Sequence, residues 1–359
     1  MKTSIIPIFI PHIGCPHRCV FCNQWKITGH SRLPEADEIR DMIRTYTSGT
    51  SDERHWEIAF YGGSFTAIDG TLQERLLQPA QEALQGGLVQ SIRCSTRPDC
   101  IDRTVMDRLH RYGLSIVELG VQSMDDDVLR KAQRGHTAQH VQDATAQLRR
   151  DGFVVGHQLM PGLPGEDWAS LEATTAAIIA MKPDMARIYP VVVIDGTELA
   201  DEYRQGTYEA LSVHEGVRRA AYMKAAFLKA GIPCIRTGLQ ATDLLNDPSQ
   251  VLAGAYAPAM GEMVDTQRWR QALFSLLKQV PPGPVTISYN RCDTSRLRGL
   301  RNSTVKRTAL AFAHTCTWQE DHTVQAGTIG LWTGQGAYMI DVDQQKTIKC
   351  HSDGMFLYK

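Results

Sequence analysis

The stretch GCPHRCVFCNQ, residues 14–24, places three cysteines close together. The gaps are Cys15-x3-Cys19 and Cys19-x2-Cys22, and Phe21 stands immediately before the last cysteine. The chain has nine cysteines in all, an odd number, and two prolines interrupt its short apolar start, so that no secretory signal is expected. This pattern favours reduced thiols that hold a metal over a set of disulfides.

Two kinds of metal site fit three clustered cysteines. A structural zinc site needs four ligands, and His12 or His17 would have to complete it. In a [4Fe–4S] cube each cysteine binds one iron, so three cysteines leave one iron open for another ligand. The remaining six cysteines do not supply a second pair, because they occur singly: Cys94, Cys100, Cys234, Cys292, Cys316 and Cys350.

The sequence around this stretch alternates between strand-like and helical runs. We expect strands over 4–10, 56–62, 91–96, 116–121, 153–160, 187–194 and 232–238, and helices near 35–47, 71–85, 102–112, 137–151, 168–181 and 213–230. Such alternation predicts parallel strands with helices packed outside them. The expected fold is an α/β partial (β/α) barrel over residues 1–245, followed by a small α+β C-terminal domain over 246–359.

Polar and glycine-rich segments follow the predicted strands. The cysteines follow the first strand, YGGSFT (61–66) the second, STRPD (95–99) the third and MPGLPGE (160–166) the fifth. Because barrel chemistry lies at the carboxyl ends of the strands, these segments are expected to form one site.

The cysteine spacing, with Phe21 before the last cysteine, resembles the signature of the radical S-adenosylmethionine superfamily. The resemblance implies a radical enzyme in which Cys15, Cys19 and Cys22 hold a [4Fe–4S] cluster. Its open iron would bind the amino and carboxylate groups of S-adenosylmethionine, which is cleaved to methionine and a 5′-deoxyadenosyl radical. It also implies a low-potential electron donor, of the flavodoxin or ferredoxin kind.

Further motifs extend the resemblance to the cofactor site. YGGSFT looks like the glycine motif of the superfamily, which implies that Gly62, Gly63 and Ser64 approach the cofactor; glycines let a backbone come close to a ligand. The resemblance implies further cofactor contacts for five residues: Phe21, Ser95, Gln122, Arg134 and Gln158. Ser95 departs from the pattern, since relatives often carry a glutamate there.

VELGVQSMDDDVLRKAQRGH (117–136) is similar to a stretch of the oxygen-independent coproporphyrinogen oxidases and of the catalytic subunit of Elongator. STRPD and MPGLPGE also match the Elongator-like pattern. Nothing in this sequence resembles the acetyltransferase domain of the Elongator subunit, so its whole reaction is not carried over. The resemblance implies a tRNA substrate as one class and a small molecule, as in the coproporphyrinogen oxidases, as another.

Arg187 and Tyr189 are the candidate catalytic residues on the substrate side. They alternate along the sixth predicted strand, so both point to the same face, and we expect that face to be the barrel interior. An arginine on the apolar outer face would be costly to bury.

The C-terminal domain carries a basic stretch, Arg291–Arg307, with six arginines and lysines against the single acidic Asp293. Strand, helix, the turn GLRN (299–302) and a second helix are faintly similar to a KH module, in which a GxxG turn contacts nucleic-acid phosphates. A solvated basic helix face is the alternative; contact with RNA, such as tRNA, is the functional interpretation.

The whole-chain composition adds little to these motifs. The net charge of −1 indicates no general attraction to nucleic acids or membranes, and no apolar run is long enough to span a bilayer. A cytoplasmic location is expected. Three functions stay open: a radical enzyme that modifies RNA, one that acts on a small molecule, and a cluster-bearing chaperone or sensor without turnover.

Overall fold

The computed structural model describes residues 3–11, 13, 15–23, 32–48 and 54–350. The chain divides into two compact units: residues 1–216 with 232–256, and residues 217–231 with 257–359. The division predicted at residue 245 remains a proposal.

The described residues of the first unit form nine strands. They are β1 (Thr3–Ile10), β2 (His55–Gly62), β3 (Ser91–Thr96), β4 (Ile116–Gln122), β5 (Val154–Leu159), β6 (Met185–Ile188), β7 (Val192–Ile194), β8 (Cys234–Thr237) and β9 (Val251–Gly254). Seven of them form one parallel sheet in the order β1-β2-β3-β4-β5-β6-β8, and β7 pairs with β9 in a separate antiparallel ribbon. The sheet confirms the predicted partial barrel.

Helices follow most of these strands. They are α1 (Ala36–Thr47), α2 (Gly70–Gln85), α3 (Arg103–Arg111), α4 (Asp126–Lys131), α5 (Ala138–Arg150), α6 (Trp168–Met181), α7 (Glu198–Gln205), α8 (Val213–Lys229) and α9 (Asp243–Asn246). Side chains of Asp and Thr accept hydrogen bonds from the first turns of α2 to α7, for example Asp69 at α2 and Thr137 at α5. Each such cap satisfies a backbone donor that the helix itself leaves free, so the βα loops end at defined points.

The two faces of the parallel sheet differ in character. Ile58, Val117 and Val155 belong to the face that packs on helices, and they are fully buried. His157 is on the same face and is hydrogen-bonded to Thr145 of α5. The opposite, concave face carries charged and polar side chains instead, among them Glu118 and Arg187.

The run 187–194, expected as one strand, is two strands. β6 ends at Ile188 and β7 begins at Val192, and Pro190 lies between them. Proline has no backbone N–H to donate to a sheet, so pairing cannot continue through it. After the break, Val191 N donates to Pro161 O at 2.9 Å and the chain joins β9 instead.

The second unit contains a five-stranded sheet covered by a helix. Besides the greater part of α8, its elements are α10 (Met260–Leu277), β10 (Pro284–Tyr289), α11 (Thr294–Arg298), α12 (Ser303–Ala311), β11 (Thr315–Glu320), β12 (Thr328–Thr333), β13 (Gly336–Asp341) and β14 (Lys346–Cys350). The strand order is β11-β10-β12-β13-β14, with β10 and β11 parallel. Leu273 and Leu276 of α10 share one buried apolar cluster with Ile287 and Leu331 of the sheet. This unit confirms the predicted small α+β domain.

Within the part of the chain that the structure describes, none of the helices has the length and apolar character needed to cross a membrane.

Candidate active site

The three clustered cysteines lie in the loop that follows β1. Cys19 is buried, and Cys15 and Cys22 are half-buried. The Cys22 N–H donates to the Cys19 carbonyl at 3.0 Å, which closes a tight turn between these two residues. No three Cys, His, Asp or Glu side chains converge on one metal-ion position among the described residues, which include His17 but not His12.

Backbone contacts hold this loop against the rest of the unit. Val20 N donates to Ala132 O at 3.3 Å, and Leu199 N donates to Val20 O at 2.8 Å. Val20 is buried in an apolar cluster, and Phe21 packs against that cluster with part of its ring exposed. Phe21, predicted to contact the cofactor, is therefore also part of the packing that anchors the cysteine loop.

The predicted glycine motif lies beside the end of β1. Gly62 has φ +109°, and a Cβ there would stand 2.2 Å from the carbonyl oxygen of Ile10. A Cβ on Gly63 would stand 2.9 Å from the carbonyl oxygen of Pro11. The absence of side chains at both positions lets the turn after β2 press against the backbone that leads into the cysteine loop.

Ser64 has its side chain committed within the protein. Its Oγ is 2.9 Å from Thr96 Oγ1, and it accepts a hydrogen bond from Arg97 N at 3.2 Å. Burial raises the pKa of the Cys15 thiol, while a hydrogen bond with the Ser64 backbone lowers it. Ser64 thus joins the cysteine loop to the end of β3.

Gln122 and Arg134, both predicted to contact the cofactor, have side chains close to Gly120. Gln122 is buried with φ 67°, a left-handed conformation that is uncommon for residues other than glycine. Arg134 Nη2 donates to Gly120 O at 2.7 Å, and Arg134 Nη1 lies 3.3 Å from Cys19 Sγ. A Cβ at Gly120 would be 2.9 Å from the Gln122 amide nitrogen and 3.2 Å from Arg134 Nη2.

Arg97 of the STRPD segment is a member of the site that the sequence did not single out. It forms an ion pair with Asp99 at 2.8 Å, and its Nη2 donates to the backbone carbonyl of Arg134. Its position in the sequence was the available signal. Arg97 directly follows a predicted strand, and such positions lie at the carboxyl edge of the sheet.

The buried polar atoms of this region that have no hydrogen-bond partner among the described residues include Arg97 Nη1, Gln122 Oε1 and Arg134 Nε. Each unsatisfied buried group costs about 1–3 kcal/mol unless a ligand completes it. A cofactor with amino, carboxylate and hydroxyl groups offers both the donors and the acceptors that these atoms lack. The residues present therefore fit S-adenosylmethionine beside a cluster held by the cysteine loop.

Ser95 and Gln158 lie on the concave face of the sheet. Ser95 is paired with Glu118 across β3 and β4, and Gln158 is paired with Gly120 across β4 and β5. Both side chains are half-buried. Their roles in cofactor binding remain predictions.

Arg187 and Tyr189 belong to a buried network on the same concave face. Arg187 Nε is 2.6 Å from Glu118 Oε2, and Arg187 Nη2 donates to Glu118 Oε1 at 2.9 Å. The same guanidinium donates to Tyr61 OH at 2.8 Å and to Tyr189 OH at 3.1 Å. Burial raises the pKa of Tyr61 to about 12, and the Glu118 charge adds to this effect, so Tyr61 is a neutral phenol at physiological pH.

The network continues to β2 and β3. Arg93 forms ion pairs with Glu57 and, at 2.7 Å, with Glu118. All four charged residues of the network are buried, and their two positive and two negative charges cancel. Four members of the network were not predicted from the sequence: Glu57, Tyr61, Arg93 and Glu118. For the three charged members, the available signal was a charged residue inside a predicted strand.

The basic stretch of the second unit is exposed at most of its charged positions. Arg291, Arg296, Arg301, Lys306 and Arg307 are exposed, whereas Arg298 is half-buried over the Trp318 ring. In the GLRN turn between α11 and α12, Arg301 and Asn302 adopt left-handed conformations, and Gly299 also has a positive φ. Burial, and to a smaller extent the neighbouring Arg307 charge, lower the pKa of Arg270.

Comparisons with known proteins agree with this geometry. Residues 9–178 match the Radical SAM superfamily, and residues 183–270 match the Radical_SAM C-terminal domain. Together these two segments include the cysteine loop, the glycine turn and the concave-face network.

The chain is also similar to curated proteins named tRNA uridine(34) acetyltransferase. It is 27% identical to that of Dehalococcoides mccartyi, over 56% of this chain and 52% of the relative. It is 28% identical to that of Methanocaldococcus infernus, over 73% of this chain and 55% of the relative. The chain therefore spans about half the length of these relatives.

A solved structure shows the same fold. The archaeal Methanocaldococcus infernus Elp3 with an N-terminal deletion superposes over 96% of this chain and 76% of that chain, with a TM-score of 0.58 and 19% identity. With the superfamily match over the barrel and its cysteine loop, these findings show that the chain belongs to the radical S-adenosylmethionine superfamily.

Proposed function

We propose that this protein is an iron–sulfur enzyme that reductively cleaves S-adenosylmethionine and uses the resulting 5′-deoxyadenosyl radical to modify tRNA. When bound, a [4Fe–4S] cluster with an open iron supplies the electron for this cleavage. The observation that carries the proposal is the set of three unsatisfied buried polar atoms next to a loop with three clustered cysteines.

In this proposal the chain's own residues have distinct tasks. Cys15, Cys19 and Cys22 hold the cluster, and the turn at Gly62 and Gly63 fixes the backbone from which these cysteines emerge. Arg97, Gln122 and Arg134 satisfy polar groups of the cofactor through their free atoms. Phe21, Ser95 and Gln158 complete the cofactor-binding set.

On the substrate side we propose Arg187 and Tyr189 as the residues that meet the substrate. Because Glu118 balances the Arg187 charge, the groups offered to the substrate are the phenol hydroxyls of Tyr189 and Tyr61. Each hydroxyl accepts a hydrogen bond from Arg187 and keeps its own proton free to donate. Such donors suit a neutral carbonyl, as in a nucleobase, better than a carboxylate.

The tRNA assignment rests on the second unit and on the names of the relatives. Charged positions around α11 and α12 form an exposed basic surface, here called the basic surface, which consists of Arg291, Arg296, Arg301, Lys306 and Arg307. β10, α11, the GLRN turn, α12 and β11 follow one another with the two strands parallel, which leaves the turn at the surface. Exposed cations of this kind bind phosphates through counterion release.

The electron donor has to approach the cysteine loop from solvent. His17 and Arg18 are exposed between Cys15 and Cys19, and they line an open surface cleft of about 570 Å³ together with Arg130. We place the low-potential, flavodoxin- or ferredoxin-like donor at this cleft, because His17 and Arg18 of its lining stand between the cluster ligands Cys15 and Cys19 in the chain.

The first test is anaerobic. The reconstituted and reduced protein is incubated with S-adenosylmethionine, with and without bulk tRNA, and 5′-deoxyadenosine is quantified. We expect tRNA-stimulated product that disappears in Cys19→Ala and persists in Cys292→Ala, an exposed cysteine of the second unit. Formation of 5′-deoxyadenosine that does not depend on tRNA would indicate a small-molecule substrate. No 5′-deoxyadenosine at all would refute the proposed enzymatic activity.

The second test concerns the basic surface. Arg301→Glu, Lys306→Glu and Arg307→Glu in one protein should weaken tRNA binding and flatten its salt dependence. A matched triple variant, Lys229→Glu, Lys278→Glu and Lys346→Glu, changes the net charge of the same unit equally at exposed positions outside this surface. An equal loss of tRNA binding in both variants would show that only the net charge matters. That result would contradict the assignment of tRNA binding to the basic surface.

A further inference from the structure

Arg134 directs its guanidinium at a cysteine of the loop. Its Nη1 lies 3.3 Å from Cys19 Sγ, and both residues are buried. Its Nη2 donates a hydrogen bond to Gly120 O at 2.7 Å. A bidentate clamp on a carboxylate needs two free donors on one edge of the guanidinium, and here only Nε is without a partner. The guanidinium is therefore arranged to bind the Cys19 sulfur and not to clamp a carboxylate.

Several contacts hold Arg134 in this orientation. Its backbone N–H donates to Leu129 O at 3.0 Å, and its carbonyl accepts a hydrogen bond from Arg97. Gly120 leaves room for the guanidinium, because a Cβ there would stand 3.2 Å from Nη2. The Arg134–Cys19 contact is thus built from backbone and side-chain constraints on three sides.

The charge on Arg134 has no carboxylate partner among the described residues. The neighbouring Asp99 is paired with Arg97 instead. A buried cation is costly unless an anion faces it, and the group that faces Arg134 is the Cys19 sulfur. That arrangement is balanced when the sulfur is a thiolate, which is its state as an iron ligand.

We propose that Arg134 is a positioning residue that sets the reduction potential of the cluster through its hydrogen bond to Cys19. The inference rests on the proposed cluster. Reduction adds one negative charge to the cluster, and a cation hydrogen-bonded to a ligand sulfur stabilises the reduced form more than the oxidised form. Arg134 consequently raises the potential toward values that a protein electron donor can reach.

The test is a redox titration of the reconstituted protein, followed by the electron paramagnetic resonance signal of the reduced cluster, without S-adenosylmethionine. Arg134→Gln removes the charge and should lower the midpoint potential. A tenfold change in the reduction equilibrium corresponds to about 59 mV for this one-electron couple. Arg150→Gln removes an exposed arginine of α5 and should leave the midpoint unchanged, because solvent and salt screen its charge.

Iron content and visible absorption are measured on each variant before the titration. A fully loaded Arg134→Gln protein with the wild-type midpoint overturns the inference, even if its affinity for S-adenosylmethionine falls. If Arg134→Gln does not load fully, Arg134→Lys replaces it: it keeps the charge but cannot hold both Gly120 O and Cys19 Sγ. Its midpoint should lie below the wild-type value, and an identical midpoint refutes the inference. A wild-type protein that binds no cluster instead refutes the proposed function.

Discussion

Arg187 holds Glu118 through both carboxylate oxygens, with Nε–Oε2 at 2.6 Å and Nη2–Oε1 at 2.9 Å. Glu118 also faces Arg93 at 2.7 Å, so one carboxylate lies between two buried guanidinium groups. This makes Glu118 the central member of the concave-face network, and it explains why strand β4 tolerates a charge among apolar residues.

Glu118→Gln should destabilise the barrel unit strongly. The substitution leaves Arg187 buried without a carboxylate, and breaking a buried pair from one side costs about 3–5 kcal/mol. Urea unfolding followed by circular dichroism measures the change in the free energy of unfolding. Glu172→Gln, at an exposed position of α6, is the control and should have little effect. A Glu118→Gln protein as stable as this control would contradict the network.

Tyr189→Phe and Tyr61→Phe should each reduce tRNA-dependent formation of 5′-deoxyadenosine by about five- to tenfold, since one lost hydrogen bond to a neutral partner is worth about 1–1.5 kcal/mol. Each change removes one hydroxyl that accepts from Arg187 and offers a proton to the substrate. Tyr203→Phe, at an exposed position, serves as the matched control. If all three variants form 5′-deoxyadenosine equally well, the two phenol hydroxyls do not contact the substrate.

Gly62→Ala should lower the iron content of the reconstituted protein. The new Cβ would meet the Ile10 carbonyl at 2.2 Å, and the backbone that leads into the cysteine loop has to move. Gly206→Ala shares the positive φ but has open space around it, so it reports the conformational cost alone, about 1–2 kcal/mol. Equal iron content in the two variants would show that the close approach is dispensable.

His157 should make the protein less stable as the pH falls. Burial lowers its pKa to about 3 in the folded protein, while the unfolded value is about 6.5. The unfolded state therefore binds the proton first, and stability is lost between about pH 6.5 and pH 3, by up to about 1.4 kcal/mol per pH unit. His157→Gln should remove this part of the slope between pH 7 and pH 5, measured by urea unfolding, and exposed His110→Gln should not.

Much of the barrel follows from local sequence signals. The runs around Ile58, Ile92 and Val117 are short, apolar and flanked by helical patterns, so strand positions were predicted to within one or two residues. The cysteine spacing likewise indicated the site. The run 187–194 was misjudged because its apolar composition outweighed Pro190, although the missing N–H of a proline ends the pairing.

The interior of the site was harder to predict, for a physical reason. Glu57, Arg93 and Glu118 lie far apart in the chain, and each is unfavourable in a strand by itself. Only the pairing of three strands in register brings the opposite charges together. Local periodicity carries no information on that register, so such residues look like exposed positions until the sheet is known.

The seven-stranded sheet ends at β1 and β8, and these two strands do not pair with each other in the described residues. A closed barrel admits a molecule only along its axis, whereas an incomplete one is also open along its flank. A reactive group that is part of a long polymer can then enter through this open flank. The polymer does not have to pass through a closed barrel, and its two ends stay outside while a single unit reaches the concave face of the sheet.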